Sequence, residues 1–148
     1  LFPYTTLFRS VKNFLIASMN KLSHPIAKLE RLDKQLDLVQ KQKRPLVLLV
    51  TMPGCGWCDL VKQDYLQHLA KDQIKEGVFV FETNQGGTEL QRYKITMVPT
   101  VLFLGPEGEI AERLVGYVSR DFYGAYLNDR IAAAKKRLVN PQSLKTQT

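Results

Sequence analysis

The chain has 148 residues, 45% hydrophobic and 24% charged, with a formal net charge of +7. That length and apolar content fit one domain with a buried core and exclude a disordered polyelectrolyte. Its lysines and arginines are dispersed among acids, as in KLERLDKQLD, which speaks against a nucleic-acid-binding block, and no apolar run reaches the ~18 residues of a membrane span.

The first ten residues, LFPYTTLFRS, read like the in-frame translation of a sequencing adapter and enter no fold expectation. A chain fused in this way lacks its natural start, so the lack of a signal peptide carries no information. Residues 11–24 stay open. Within them FLIASM, from Phe14 to Met19, fits either a truncated signal core or a short first strand. Residues 25–139 are expected to form the domain and 140–148 a flexible basic and polar tail.

Ile26, Leu29, Leu32, Leu36 and Val39 recur at steps of three and four, which predicts an amphipathic helix from Pro25 to Lys43, stopped by Pro45. LVLLVTM, Leu46 to Met52, is the unbroken apolar run of a central strand buried on both faces. A loop with Pro53 and Gly54 follows. From Cys58 to Lys71 the pattern is helical, with Leu60, Val61, Tyr65, Leu66 and Leu69 inward. VFVFET, Val78 to Thr83, is a second strand; NQGG ends it, and Thr88 to Tyr93 can form a short helix. TVLFL, Thr100 to Leu104, is a third strand. The turn GPEGE joins it to Ile110–Val115 as an antiparallel hairpin. Gly116 opens a bend. Ser119 and Asp121 then mark the start of a last helix, with Tyr123, Leu127, Ile131, Ala134 and Leu138 inward. Lys135, Lys136 and Arg137 lie at the end where the helix dipole favours cations. This order gives an α/β fold: a central mixed β-sheet flanked by helices on both faces.

Both cysteines of the chain lie in TMPGCGWCDL. A strand running through a short loop into a helix puts Cys55 at the helix N-terminus, where unpaired amides and the dipole favour a thiolate, the reactive form. Two cysteines separated by two residues can also close a disulfide. Cys55 at the tip would attack a substrate disulfide, and Cys58 one turn inward would resolve the mixed disulfide. Zinc is the competing use, but it takes about four ligands, and the pair supplies two. His68 lies too far along the following helix to join Cys58, and the other histidine is His24. Gly54 and Gly56 describe a tight turn, which speaks against two inert core cysteines.

With CGWC after PLVLLVTMPG, Val98-Pro99-Thr100 inside YKITMVPTVLFL, and the ending LVGYVSRDFYGAYL, the chain resembles the thioredoxin superfamily from about residue 25 to 138, nearly the whole domain. The resemblance implies a thioredoxin-like fold and a protein thiol–disulfide oxidoreductase with no metal or organic cofactor. It implies protein disulfide substrates, a redox partner protein and a monomeric state. It also implies that Pro99 is cis and faces the cysteine pair, with Val98 offering its backbone to an extended substrate strand. The alternative for Pro99 is a trans turn proline opening an edge strand. Gly56 and Trp57 then line the same substrate site. Trp57 can serve as an apolar platform for a partner or pack on its own helix. Thioredoxins proper carry Trp before the first cysteine and Gly-Pro between the pair; here those positions hold Gly54 and Gly56-Trp57. They also bury an Asp–Lys pair where this chain has Leu49 and Val80, so Cys58 needs another proton acceptor, water or Glu82. These departures move the resemblance toward bacterial envelope thioredoxin-like proteins and imply a periplasmic location, with the cytoplasm as alternative. A redox-inert thioredoxin-like binding module is the competing function.

Overall fold

A computed structural model describes residues 26–141. The expectations for residues 1–24, and most of those for the tail, fall outside them. Helix α1 spans Leu32–Gln42 and strand β1 Leu46–Thr51. The helical run after the cysteines consists of α2 (Gly56–Val61), a π turn (Lys62–Leu66) and α3 (Gln67–Lys71), and the one-turn α4 (Gln73–Glu76) follows. Then come β2 (Phe79–Asn84), a 3-10 turn (Thr88–Tyr93), β3 (Thr100–Gly105), β4 (Gly108–Val115) and the long helix α5 (Arg120–Val139).

The strands form one sheet in the order β2-β1-β3-β4. β1 pairs parallel with β2 and antiparallel with β3, and β3 pairs antiparallel with β4. A parallel β1–β2 pair requires a crossover, which α2 to α4 supply. All six residues of β1 are buried, as are all six of β3. α1 and the 3-10 turn are joined by the Leu32 N–H, which donates to Glu89 Oε2 at 3.0 Å. α2–α3 and α5 meet at the other side of the sheet, where the Tyr65 hydroxyl donates to Arg120 O at 2.6 Å. Among the described residues, no helix is long and apolar enough to cross a membrane.

Three expectations are corrected. The first helix begins at Leu32, not Pro25. Upstream of it the chain is extended and pairs with β2: the Leu29 N–H donates to Glu82 O at 2.8 Å and the Glu82 N–H to Ala27 O at 2.9 Å. Covering that edge satisfies groups that a helix there would leave unpaired. The helix after the cysteines starts at Gly56, two residues earlier than expected. Leu60 points outward at 40% exposure, because Cys58, Val61 and Leu66 take the inward face. The step of five between Val61 and Leu66 is the π turn. Ser119 is the N-cap of α5 as expected, with the Phe122 N–H met by its backbone oxygen at 3.2 Å and not by its side chain. The inward face of α5 contains Tyr123, Leu127, Ile131, Ala134 and Leu138, all buried.

Candidate functional site: a cysteine pair where three strands end

β1 ends at Thr51, and Met52-Pro53-Gly54 leads into the cysteines. Gly54 adopts a φ of +76°, a conformation other residues reach only with strain. The turn is closed by the Cys55 N–H donating to Met52 O at 3.4 Å. Cys55 is the N-cap of α2, and its sulfur accepts from the Cys58 N–H at 3.1 Å. The two cysteines are joined by a disulfide, with Cα atoms 5.3 Å apart. Their exposures differ. Cys55 is half-buried, whereas Cys58 is 1% exposed beneath the helix. Of the two, only Cys55 is in part open to solvent. Gly56 and Trp57, between them, are both exposed, Trp57 at 62%.

The Val98–Pro99 peptide bond is cis. Pro99 is buried and Val98 half-buried. Because β3 runs antiparallel to β1, with Thr100 opposite Val50, the start of β3 lies at the end of the sheet where β1 delivers the cysteines. The end of β4 arrives there too: Val115 pairs with Thr100, and the Gly116 N–H donates to Pro99 O at 2.7 Å. Gly116 has a φ of +75°, which turns the chain back toward α5. The next residue, Tyr117, has its ring 6.4 Å from that of Trp57, within the range of a favourable aromatic pair. The bend thus links the Pro99 segment to the residue between the cysteines.

Beneath the pair, Leu49 is fully buried and Val80 is 1% exposed. Leu49 lies opposite Glu82 in the parallel register, and partners in such a register project to the same face. Glu82 pairs with Lys62, one turn past Cys58, at 3.4 Å, and Lys62 also reaches Asp59 at 3.6 Å. Glu82 is mostly buried, with its side chain 15% exposed. Lys62 thus stands between two carboxylates on the helix that bears the cysteines.

Sequence reasoning singled out Trp57 but missed its surroundings. Tyr117 is buried, and its hydroxyl donates to Asp64 Oδ2 at 2.7 Å; Arg120 Nε lies 3.2 Å from the same oxygen. Burial and, next, the hydrogen bond to Asp64 push the Tyr117 phenol well above its ordinary range. Tyr65, Tyr117 and Tyr123 stack in one cluster, with centroids 5.0–6.4 Å apart. Met52, Met97, Val118 and Phe122 are exposed on the segments that flank the pair. The one available signal was shared topology: each follows or precedes a strand at the same end of the sheet.

The sequence matches the family described as a thioredoxin-like domain over residues 32–131. The chain belongs to the thioredoxin-like family. A curated relative, the thiol-disulfide oxidoreductase ResA of Oceanobacillus iheyensis, is 30% identical over a match covering 49% of this chain and 52% of the relative. The chain therefore spans about half the length of that relative. Among solved structures, the periplasmic thioredoxin SoxS of Paracoccus pantotrophus in its reduced form aligns with a TM-score of 0.52 at 20% identity, covering 62% of this chain and 99% of SoxS. Mitochondrial thioredoxin 3 of Saccharomyces cerevisiae in its oxidised form aligns with a TM-score of 0.54 at 20% identity, covering 70% and 94%. These two likenesses concern the fold. Together with the family match they establish the α/β thioredoxin-like fold; the family match, ResA and the Cys55–Cys58 disulfide support thiol–disulfide exchange as the general chemistry.

Proposed function

We propose that the chain is a protein disulfide oxidoreductase in which Cys55 is the attacking thiol and Cys58 the resolving thiol. The observation that carries this reading is the unequal exposure of a bonded pair: Cys55 can be reached from solvent and Cys58 cannot. The Cys55 thiolate attacks a substrate disulfide, forming a mixed disulfide and expelling one substrate thiolate. Cys58 then loses its proton and attacks the Cys55 sulfur. That closes the Cys55–Cys58 bond and releases the second substrate thiolate, so two electrons have passed to the substrate. Reversal of the same steps oxidises a dithiol. Gly56, Trp57, Val98 and Pro99 are proposed to contact the substrate polypeptide. Glu82 is proposed as the proton acceptor for Cys58 by way of solvent, supported by its register beside Leu49 and its pairing with Lys62. The resemblance of the chain's ending to envelope proteins supports a periplasmic location over a cytoplasmic one, which cell fractionation tests.

Insulin reduction with dithiothreitol as electron donor tests the reading. The wild type is expected to accelerate precipitation of the insulin B chain, and Cys55→Ser to fall to the uncatalysed rate. A wild type no faster than buffer would instead favour the redox-inert binding module.

A further inference from the structure

Tyr117 joins the two halves of the site. It follows Gly116, which is hydrogen-bonded to Pro99, and its ring meets that of Trp57 on the cysteine helix. Its hydroxyl reaches Asp64, carried by the π turn of that same helical run, at 2.7 Å. Arg120, at the start of α5, holds the same carboxylate oxygen at 3.2 Å. The acceptor is thus fixed from a second side. The π turn inserts one residue into the helix, as such turns often do near functional sites, and brings Asp64 and Tyr65 to Tyr117 and the start of α5. The phenol stays protonated across the neutral range, so it remains a donor to Asp64 there.

We propose that Tyr117 is a positioning residue: by tying the bend beside Pro99 to the cysteine helix, it fixes the Trp57 ring on the rim and the gap that a substrate polypeptide must enter. The proposal rests on the thiol–disulfide reading and deepens it. Tyr117 is placed to act on the binding of a polypeptide, while sulfur exchange belongs to Cys55 and Cys58. A small disulfide, which needs neither rim nor gap, should be indifferent to it.

Trp57 is the single tryptophan of the chain, so its emission reports on this ring alone. Tyr117→Phe removes the hydroxyl and keeps the ring; Asp64→Asn weakens the acceptor from the other side and is the second variant. Each is expected to lower the fluorescence anisotropy of Trp57 and to raise KM for insulin about tenfold, the value of a hydrogen bond to a charged group. The kcat for insulin and the turnover of oxidised glutathione should not change. Unaltered anisotropy together with unaltered insulin KM in both variants would overturn the proposal. An equal loss on insulin and glutathione would also overturn it, because it would assign Tyr117 to folding or to the exchange step. The anisotropy needs no turnover: if the wild type proves redox-inert, it decides alone whether Tyr117 orders Trp57.

Discussion

At the scale of single residues, the problem specific to this chain is the proton of Cys58. A thiol buried to 1% exposure is disfavoured as an anion, yet it must become one to attack. Leu49 and Val80 put only hydrocarbon on that face. The carboxylate nearest in register is one strand over, at Glu82, held by Lys62 from the cysteine helix. Asp59 is a further charged group paired with Lys62, while Lys28 meets Glu82 through a backbone bridge at the sheet edge. Asp59 is well exposed, and a pair of that kind contributes little. Glu82→Gln is therefore expected to slow the Cys58 step by about a hundredfold near pH 7, the lower end for a lost general base. The deficit should shrink as pH rises, because more Cys58 then ionises unaided. Stopped-flow decay of a preformed mixed disulfide between pH 6 and 9 measures it, with alkylation of Cys55 as a control that should not move. A deficit of the same size at every pH would mean that Glu82 only supports the structure.

At the scale of elements, periodicity was a sound guide wherever an element's own side chains decide its form. β1 reads as a doubly buried strand and is one, and the inward face of α5 follows its pattern residue by residue; the hairpin forms where expected, but its strands run on to a Gly105–Gly108 pair and its register shifts around Phe103. The pattern misled where a distant partner decides. Ile26 and Leu29 are three apart, as on a helix, but the open edge of β2 draws them into an extended bridge. The cap of α1 comes from Glu89, far along the chain, which no local signal reveals. The cysteine pair was legible because its chemistry needs a fixed spacing. Tyr117, Asp64 and Tyr65 were not, because what brings them together is an inserted residue in a helix. That helix also approaches α5 closely at Gly124, where an added Cβ would lie 2.8 Å from Tyr65 Cε1. The ring cannot swing away freely, since its hydroxyl is bonded to Arg120 and its face to Tyr123. Gly124→Ala gains about 1 kcal/mol of helix propensity but loses about 1–3 kcal/mol to overpacking. A net destabilisation of about 1 kcal/mol, seen as a lower urea midpoint, is expected; a higher midpoint would mean that the π turn yields.

At the scale of the whole molecule, the end of the sheet that bears the site is sealed by tyrosines, whereas leucines, valines and Phe103 fill the centre. This arrangement leaves one group poorly served. The Tyr123 hydroxyl is buried and, among the described residues, has no hydrogen-bond partner. An unmet buried hydroxyl costs about 1–3 kcal/mol, so Tyr123→Phe is expected to stabilise the fold by about 1 kcal/mol at pH 7. The same groups set the alkaline limb. Burial, before any other cause, raises the phenols of Tyr117 and Tyr123 above the ordinary value of 10. The folded chain then keeps protons that the unfolded chain releases, and stability that is complete below pH 10 must fall as pH rises beyond it. Tyr123→Phe removes one of these two groups and should make the decline shallower while raising the neutral plateau. Urea unfolding at pH steps from 7 to 11 reads both effects at once. A lower plateau with an unchanged alkaline slope would show that the hydroxyl has a partner and that the tyrosine seal gains stability from it.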